Sequence, residues 1–192
     1  MTTAEKLTAV AENQQAVYDA GKQAGFDWEA YQDGGNRTNY DYAFVRCWND
    51  DFYHPIYPIT GRVTQAFFVS RITNVKVPII ATGNLNSVWQ SSEVVTIPYL
   101  DVSGVTSINL PFYGATKLTN INFVGQLKVN GMDLSSSPKV THQSLLSLLN
   151  CLEDKTGDTS GTQWVVTLGK TNKAKLTDEE LAIAENKGWA VK

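Results

Sequence analysis

Few residues in this sequence carry side chains that catalysis or metal binding requires. Its two histidines, His54 and His142, lie far apart, and so do its two cysteines, Cys47 and Cys151. Metal sites set Cys and His ligands a few residues apart, and no such spacing occurs, so no metal site and no cofactor is expected. The cysteines read as buried free thiols in a protein assembled in the cytoplasm. Asp50 and Asp51 beside His54 resemble an acid–base group, a juxtaposition that also arises by chance. Paired carboxylates for glycoside cleavage would have to come from Glu93, Asp101 and Asp133, the only acids of the middle region. Asp101 and Asp133 stand at equivalent turn positions, which favours turn capping over chemistry. There is no Gly-x-Ser-x-Gly, HExxH, Walker loop or GxGxxG after a strand. No catalytic residue is assigned.

The aromatic residues carry a stronger signal. Residues 26–60 hold ten of the chain's 20 aromatics. Within them Trp28, Tyr31, Trp48, Phe52 and Tyr53 are candidate ligand- or partner-binding residues, since aromatic clusters stack on sugar rings and anchor interfaces. The alternative is a small core that docks an N-terminal helix onto the rest of the chain. Tyr40, Tyr42 and Phe44 alternate as a strand would, after a turn at Gly34-Gly35-Asn36.

Those residues need positioning elements, and composition divides the chain to supply them. Residues 1–60 carry a net charge of −5, residues 61–140 of +3 and residues 141–192 of −1. The middle zone has nine charges in 80 residues but 23 Ser, Thr and Asn, a mixture suited to strands and tight turns. Four segments follow: 1–26, a helix for attachment or oligomerisation; 27–60, an aromatic-rich docking segment; 61–140, a β-rich repeat body; and 141–192, a C-terminal α/β cap. In the first, Leu7, Val10, Gln14, Val17, Gly21 and Ala24 recur three and four apart, a narrow stripe that predicts a coiled-coil seam with Gln14 setting register, or else a helix lying on its own domain.

In the body, Val105-Thr-Ser-Ile108-Asn-Leu110 is echoed by Leu118-Thr-Asn-Ile121-Asn-Phe123, thirteen residues on, with a looser copy at Val94–Ile97. Recurring short strands that cannot bury a face alone predict a stacked solenoid; an antiparallel sandwich spaces its strands similarly. Beyond the body, Leu145, Leu146, Leu148, Leu149 and Leu152 predict a helix, Gln163–Leu168 a strand, and Thr177 with Glu180 a capping box. Trp189 is expected to pack back. The fold class expected is α+β: N-terminal helix, β-rich body with a short repeat stack, and helix–strand–helix cap.

A chain of 192 residues with 42% apolar residues buries a core without metal or disulfide help. Mild acidity, a net −3, argues against nucleic-acid binding. No apolar run reaches a membrane span, and the N-terminus does not read as a secretory signal.

Several segments resemble the BspA-type leucine-rich repeat of proteins encoded by phages and prophages of Gram-positive bacteria. They are Leu100-Asp-Val-Ser-Gly-Val-Thr-Ser-Ile-Asn-Leu continuing to Ile121, Asp133-Leu-Ser-Ser-Ser-Pro, and Val166-Thr-Leu-Gly-Lys through Lys187-Gly-Trp189. The opening, Ala4-Glu-Lys-Leu through Gly21, and Asn36-Arg-Thr-Asn-Tyr40 are also similar. Repeats are few, and Ala115 stands where the repeat usually has Cys, so a compact domain with a short stack is expected. The resemblance implies a non-enzymatic virion structural protein, as a tail tip, fibre or capsid-decoration component. It would be assembled in the host cytoplasm and partnered by other virion proteins and by itself as a homo-oligomer such as a trimer. A host cell-surface glycan or protein is a further expected partner; nucleic acid and membrane insertion are not expected. The alternatives are an adhesin module on a bacterial surface and, more remotely, a cell-wall hydrolase.

Overall fold

The computed structural model describes residues 39–47 and 58–192. All eleven residues singled out above as binding or seam positions lie outside them, as do Asp50, Asp51 and His54. The body is a four-stranded parallel sheet accompanied by short helices, a mixed α and β fold. Its strands β1 (Ile59–Arg62), β2 (Ile79–Asn84), β3 (Thr96–Ser107) and β4 (Asn120–Val124) lie side by side in chain order. Parallel pairing excludes the antiparallel sandwich.

Parallel neighbours need a crossover, usually a helix. Here each crossover is instead a run of tight turns. Turn hydrogen bonds close at Ala43 N–H to Tyr40, Ala66 N–H to Val63, Ser70 N–H to Phe67 and Ser92 N–H to Trp89. The third residue of each such turn takes a left-handed φ: Tyr42 (61°), Gln65 (52°), Val69 (53°) and Ser91 (54°), as type II turns require. Successive turn runs hydrogen-bond to one another. The N–H groups of Phe44, Phe67 and Trp89 donate to the carbonyls of Ala66, Val88 and Pro111. The Tyr40–Tyr42–Phe44 alternation therefore belongs to turns, not to a strand.

The core lies between sheet and turns. Ile59, Ile79, Leu100 and Phe123 are register partners across all four strands and are buried. Opposite them Phe44, Phe67, Trp89 and Phe112 stack face to face, with centroids 4.9, 5.7 and 5.1 Å apart. The period is thus 22 or 23 residues. The thirteen-residue echo is not the period: Val105 lies late in β3, whereas Leu118 precedes β4. The looser copy is the true equivalent, since Thr96 pairs with Asn120 and Ile97 with Ile121.

Helix α1 (His142–Cys151) lies against β4 and carries the core onward with Leu145, Leu148 and Leu149. Strand β5 (Trp164–Val166) follows, then the short helix α2 (Gly169–Lys173), which the sequence reading did not anticipate. Helix α3 (Asp178–Glu185) opens with the expected capping box of Thr177 and Glu180. Strand β6 (Trp189–Val191) then pairs in parallel with β5. Trp189 does pack back; it is buried, and its indole N–H donates to the Glu153 carbonyl at 2.8 Å. Buried Asn172 ties α2 to the loop between β4 and α1 through the Leu134 and Ser137 carbonyls at 2.9 and 3.1 Å.

Candidate functional site

Strand alternation sends every second side chain away from the core. The outward face therefore presents Thr60, Ile80, Asp101 and Val124 in one cross-strand row, with Arg62 and Thr82 in the next. Its two charges are already engaged. Arg62 pairs with Asp41 at 2.6 Å, and Asp101 accepts the Ser103 N–H at 2.8 Å. Asp133 accepts the Ser135 N–H at 2.7 Å and caps a turn there; Asp101 makes its bond within β3, so the two acids do not hold equivalent turn positions.

At the N-terminal ends of the strands, a ladder of short polar side chains crosses the sheet. Thr96 donates to Asn74 at 2.7 Å and Thr141 to Asn120 at 3.4 Å, while the amides of Asn74 and Asn120 donate to Thr73 and Thr119. Where this ladder meets α1, a groove of about 350 Å³ opens. It is lined by Ile97, Pro98 and Ile121 together with the exposed amides Asn122 and Gln143. Neither of those amides has a side-chain partner among the described residues. They were not picked out from the sequence, where they are two amides in a region full of them. The recurrence of Thr-Asn at 73–74 and 119–120 was the available signal.

One relationship makes the groove rigid. The Ser144 hydroxyl accepts the Ile121 N–H at 2.9 Å, and the Ser147 hydroxyl accepts the Phe123 N–H at 3.1 Å. Helix α1 thus takes the place of a fifth strand on the edge of β4.

Little in the described residues supports nucleophilic or acid–base chemistry. Cys47 and Cys151 are free, and burial pushes both thiols up to about 11, leaving them protonated and unreactive at neutral pH. His142 sits 2.8 Å from Glu180, joining α1 to α3. Hydrogen bonds hold Asp154 and Asp158 below the usual carboxylate range, first those from the N–H groups of Thr156 and Ser160. These are turn-capping acids. Among the described residues no cluster of three metal-ligating side chains occurs and no helix is long and apolar enough to cross a membrane. No family model matches the chain, and no curated protein and no solved structure is significantly similar to it.

Proposed function

We propose that this chain is a non-enzymatic binding and assembly protein of a virion, a tail tip, fibre or capsid-decoration component, built on a short leucine-rich-repeat-like stack. The stack reading is supported by sequential parallel strands, the 22- or 23-residue aromatic period and the BspA-type resemblance of residues 100–190. The observation that carries the binding reading is the outward face. Its cross-strand rows mix Thr60 and Thr82 with Ile80 and Val124, its described charges are Arg62, paired with Asp41, and Asp101, hydrogen-bonded to the Ser103 N–H, and a Thr/Asn ladder at the strand ends leads to a groove with free amides at Asn122 and Gln143. Such surfaces suit neutral polar partners, which exchange hydrogen bonds without the desolvation cost of ions.

Mass spectrometry of purified particles tests the location: the chain must be present at a stoichiometry above background. Adsorption of the labelled full chain to Gram-positive cells tests attachment, with Asn122→Ala plus Gln143→Ala expected to weaken it. Absence from particles together with no adsorption would falsify the proposal.

A further inference from the structure

A second cleft lies on the opposite side of the fold, at the seam between the last turn run and the C-terminal unit. It encloses about 310 Å³ and is lined by Asn109, Leu110, Asn130, Gly131, Asp133, Gln163 and Thr167, among others. That volume is at the small end of the usual range for small-molecule sites.

The cleft arises because a hydrogen-bond series stops there. Along the turn runs, the N–H groups of Tyr42, Gln65 and Ser87 donate to the carbonyls of Thr64, Asn86 and Asn109. Leu110 is the next residue in that series, and its N–H has no acceptor among the described residues. The chain that follows turns aside instead. Asn130 pins the far wall: its Oδ1 accepts the Val165 N–H at 2.8 Å, and its Nδ2 donates to the Gln163 carbonyl at 3.1 Å. Gly131, at φ +104°, approaches so closely that a Cβ would lie 2.3 Å from the Ile108 carbonyl oxygen. Both walls are therefore fixed before any ligand arrives, which lowers the ordering cost of binding.

The groups facing this space are complementary to hydroxyls. Leu110 offers a backbone donor. Asp133 commits Oδ1 to Ser135, leaving Oδ2 as an acceptor. The side chains of Asn109, Gln163 and Thr167 have no hydrogen-bond partner among the described residues and can donate or accept. Ile108, Leu110 and Val165 supply apolar surface, and Leu110 is 41% exposed at the lip. No lining residue is cationic and one is a carboxylate, which disfavours phosphates and acidic sugars.

We propose that this seam cleft is a binding site for a neutral saccharide of one or two rings, with Asp133 and the three free polar side chains taking its hydroxyls and the aliphatic residues covering a C–H face. It rests on the binding-protein reading above and names a ligand class for a different surface.

The test is amide NMR on the full chain, titrated with cellobiose and di-N-acetylchitobiose, and with digalacturonate as the anionic comparison. A neutral probe is expected to shift the amides of Leu110, Gly131 and Thr167. Asn109→Ala and Gln163→Ala should each weaken binding about three- to tenfold. Neither side chain makes an internal hydrogen bond, so both variants are expected to fold. Asp133→Asn keeps an acceptor for Ser135 and serves as a third variant; it should also weaken binding. No shift with either neutral probe, equal affinity in the variants, or preference for digalacturonate overturns the proposal. The two readings fail separately. Wild-type adsorption to cells with no saccharide shift refutes the cleft alone, whereas absence from particles and cells refutes the virion reading whatever the titration shows.

Discussion

The hydroxyl of Ser144 sits 2.9 Å from the backbone nitrogen of Ile121, so a helix side chain completes the hydrogen bonding of a strand edge. Open sheet edges template further pairing, and proteins blunt them. Serines three apart on α1 meet N–H groups two apart on β4. The helix thus covers the edge without offering another edge. Ser144→Ala leaves the Ile121 N–H buried and unpaired, with an expected loss of about 1–3 kcal/mol by urea unfolding. Ser147→Ala, at a half-buried site, should cost less. If both variants unfold with the wild type, edge capping by these hydroxyls is wrong.

Trp89 stands between Phe67 and Phe112 with rings nearly parallel to both, and its indole N–H has no partner among the described residues. The column needs a ring there and not the nitrogen. Trp89→Ala is expected to cost about 3–5 kcal/mol, whereas Trp89→Phe, which retains the stack, should cost less than about 1.5 kcal/mol. Thermal melts of the pair decide it; similar losses would mean that ring stacking is not what holds the turns.

Two glycines provide a contrast. Gly131 combines a positive φ with a backbone oxygen 2.3 Å from the would-be Cβ, while Gly157 has nothing within 4 Å. Gly131→Ala is expected to destabilise by at least about 1–3 kcal/mol and to widen the seam cleft. Gly157→Ala should be neutral or slightly stabilising. Denaturation midpoints of the two variants give the comparison directly.

The acid limb of stability is expected to depend on Glu180. The Thr177 N–H that it accepts holds its carboxyl below the ordinary glutamate value, and the His142 hydrogen bond adds to this against partial desolvation. A carboxylate depressed in the folded state contributes stability that is complete above its unfolded value, about 4.3, and lost as pH falls through the lower folded one. The protection factors of amides in the first turn of α3, measured against the intrinsic exchange rate at each pH, should therefore fall on acidification through this window. In Glu180→Gln that acid-dependent change should be much reduced.

What could be read from the sequence was local. The spacing of Leu145, Leu148 and Leu149 marks α1 unaided, and Thr177 with Glu180 marks the start of α3. The turn runs were hidden because their left-handed positions hold Tyr42, Gln65, Val69 and Ser91 rather than glycine. Only Gly114, at φ 73°, carries the usual signature. The aromatic period was masked for a related reason: Phe44, Phe67, Trp89 and Phe112 share ring shape but not identity, and the flanking residues change. Asn122, Gln143, Asn109 and Gln163 become distinct only through what surrounds them. An amide in a Ser-, Thr- and Asn-rich chain has no signature until its neighbours are seen to be satisfied and it is not.

The turn runs have an electrical consequence. In each, the peptide units preceding Gln65, Phe67 and Val69 send their N–H groups toward the following run and their carbonyls toward the preceding one. The units preceding Ser87, Trp89 and Ser91 do the same. Their dipoles add from one turn run to the next as they do along a helix. By the same alternation, the carbonyls of Asp41, Ala43 and Val45 point away from the next run and accept no backbone N–H among the described residues. The series of N–H donors ends beside the seam cleft, where the Leu110 N–H has no acceptor among the described residues and the Asp133 carboxylate lies opposite it as a compensating charge.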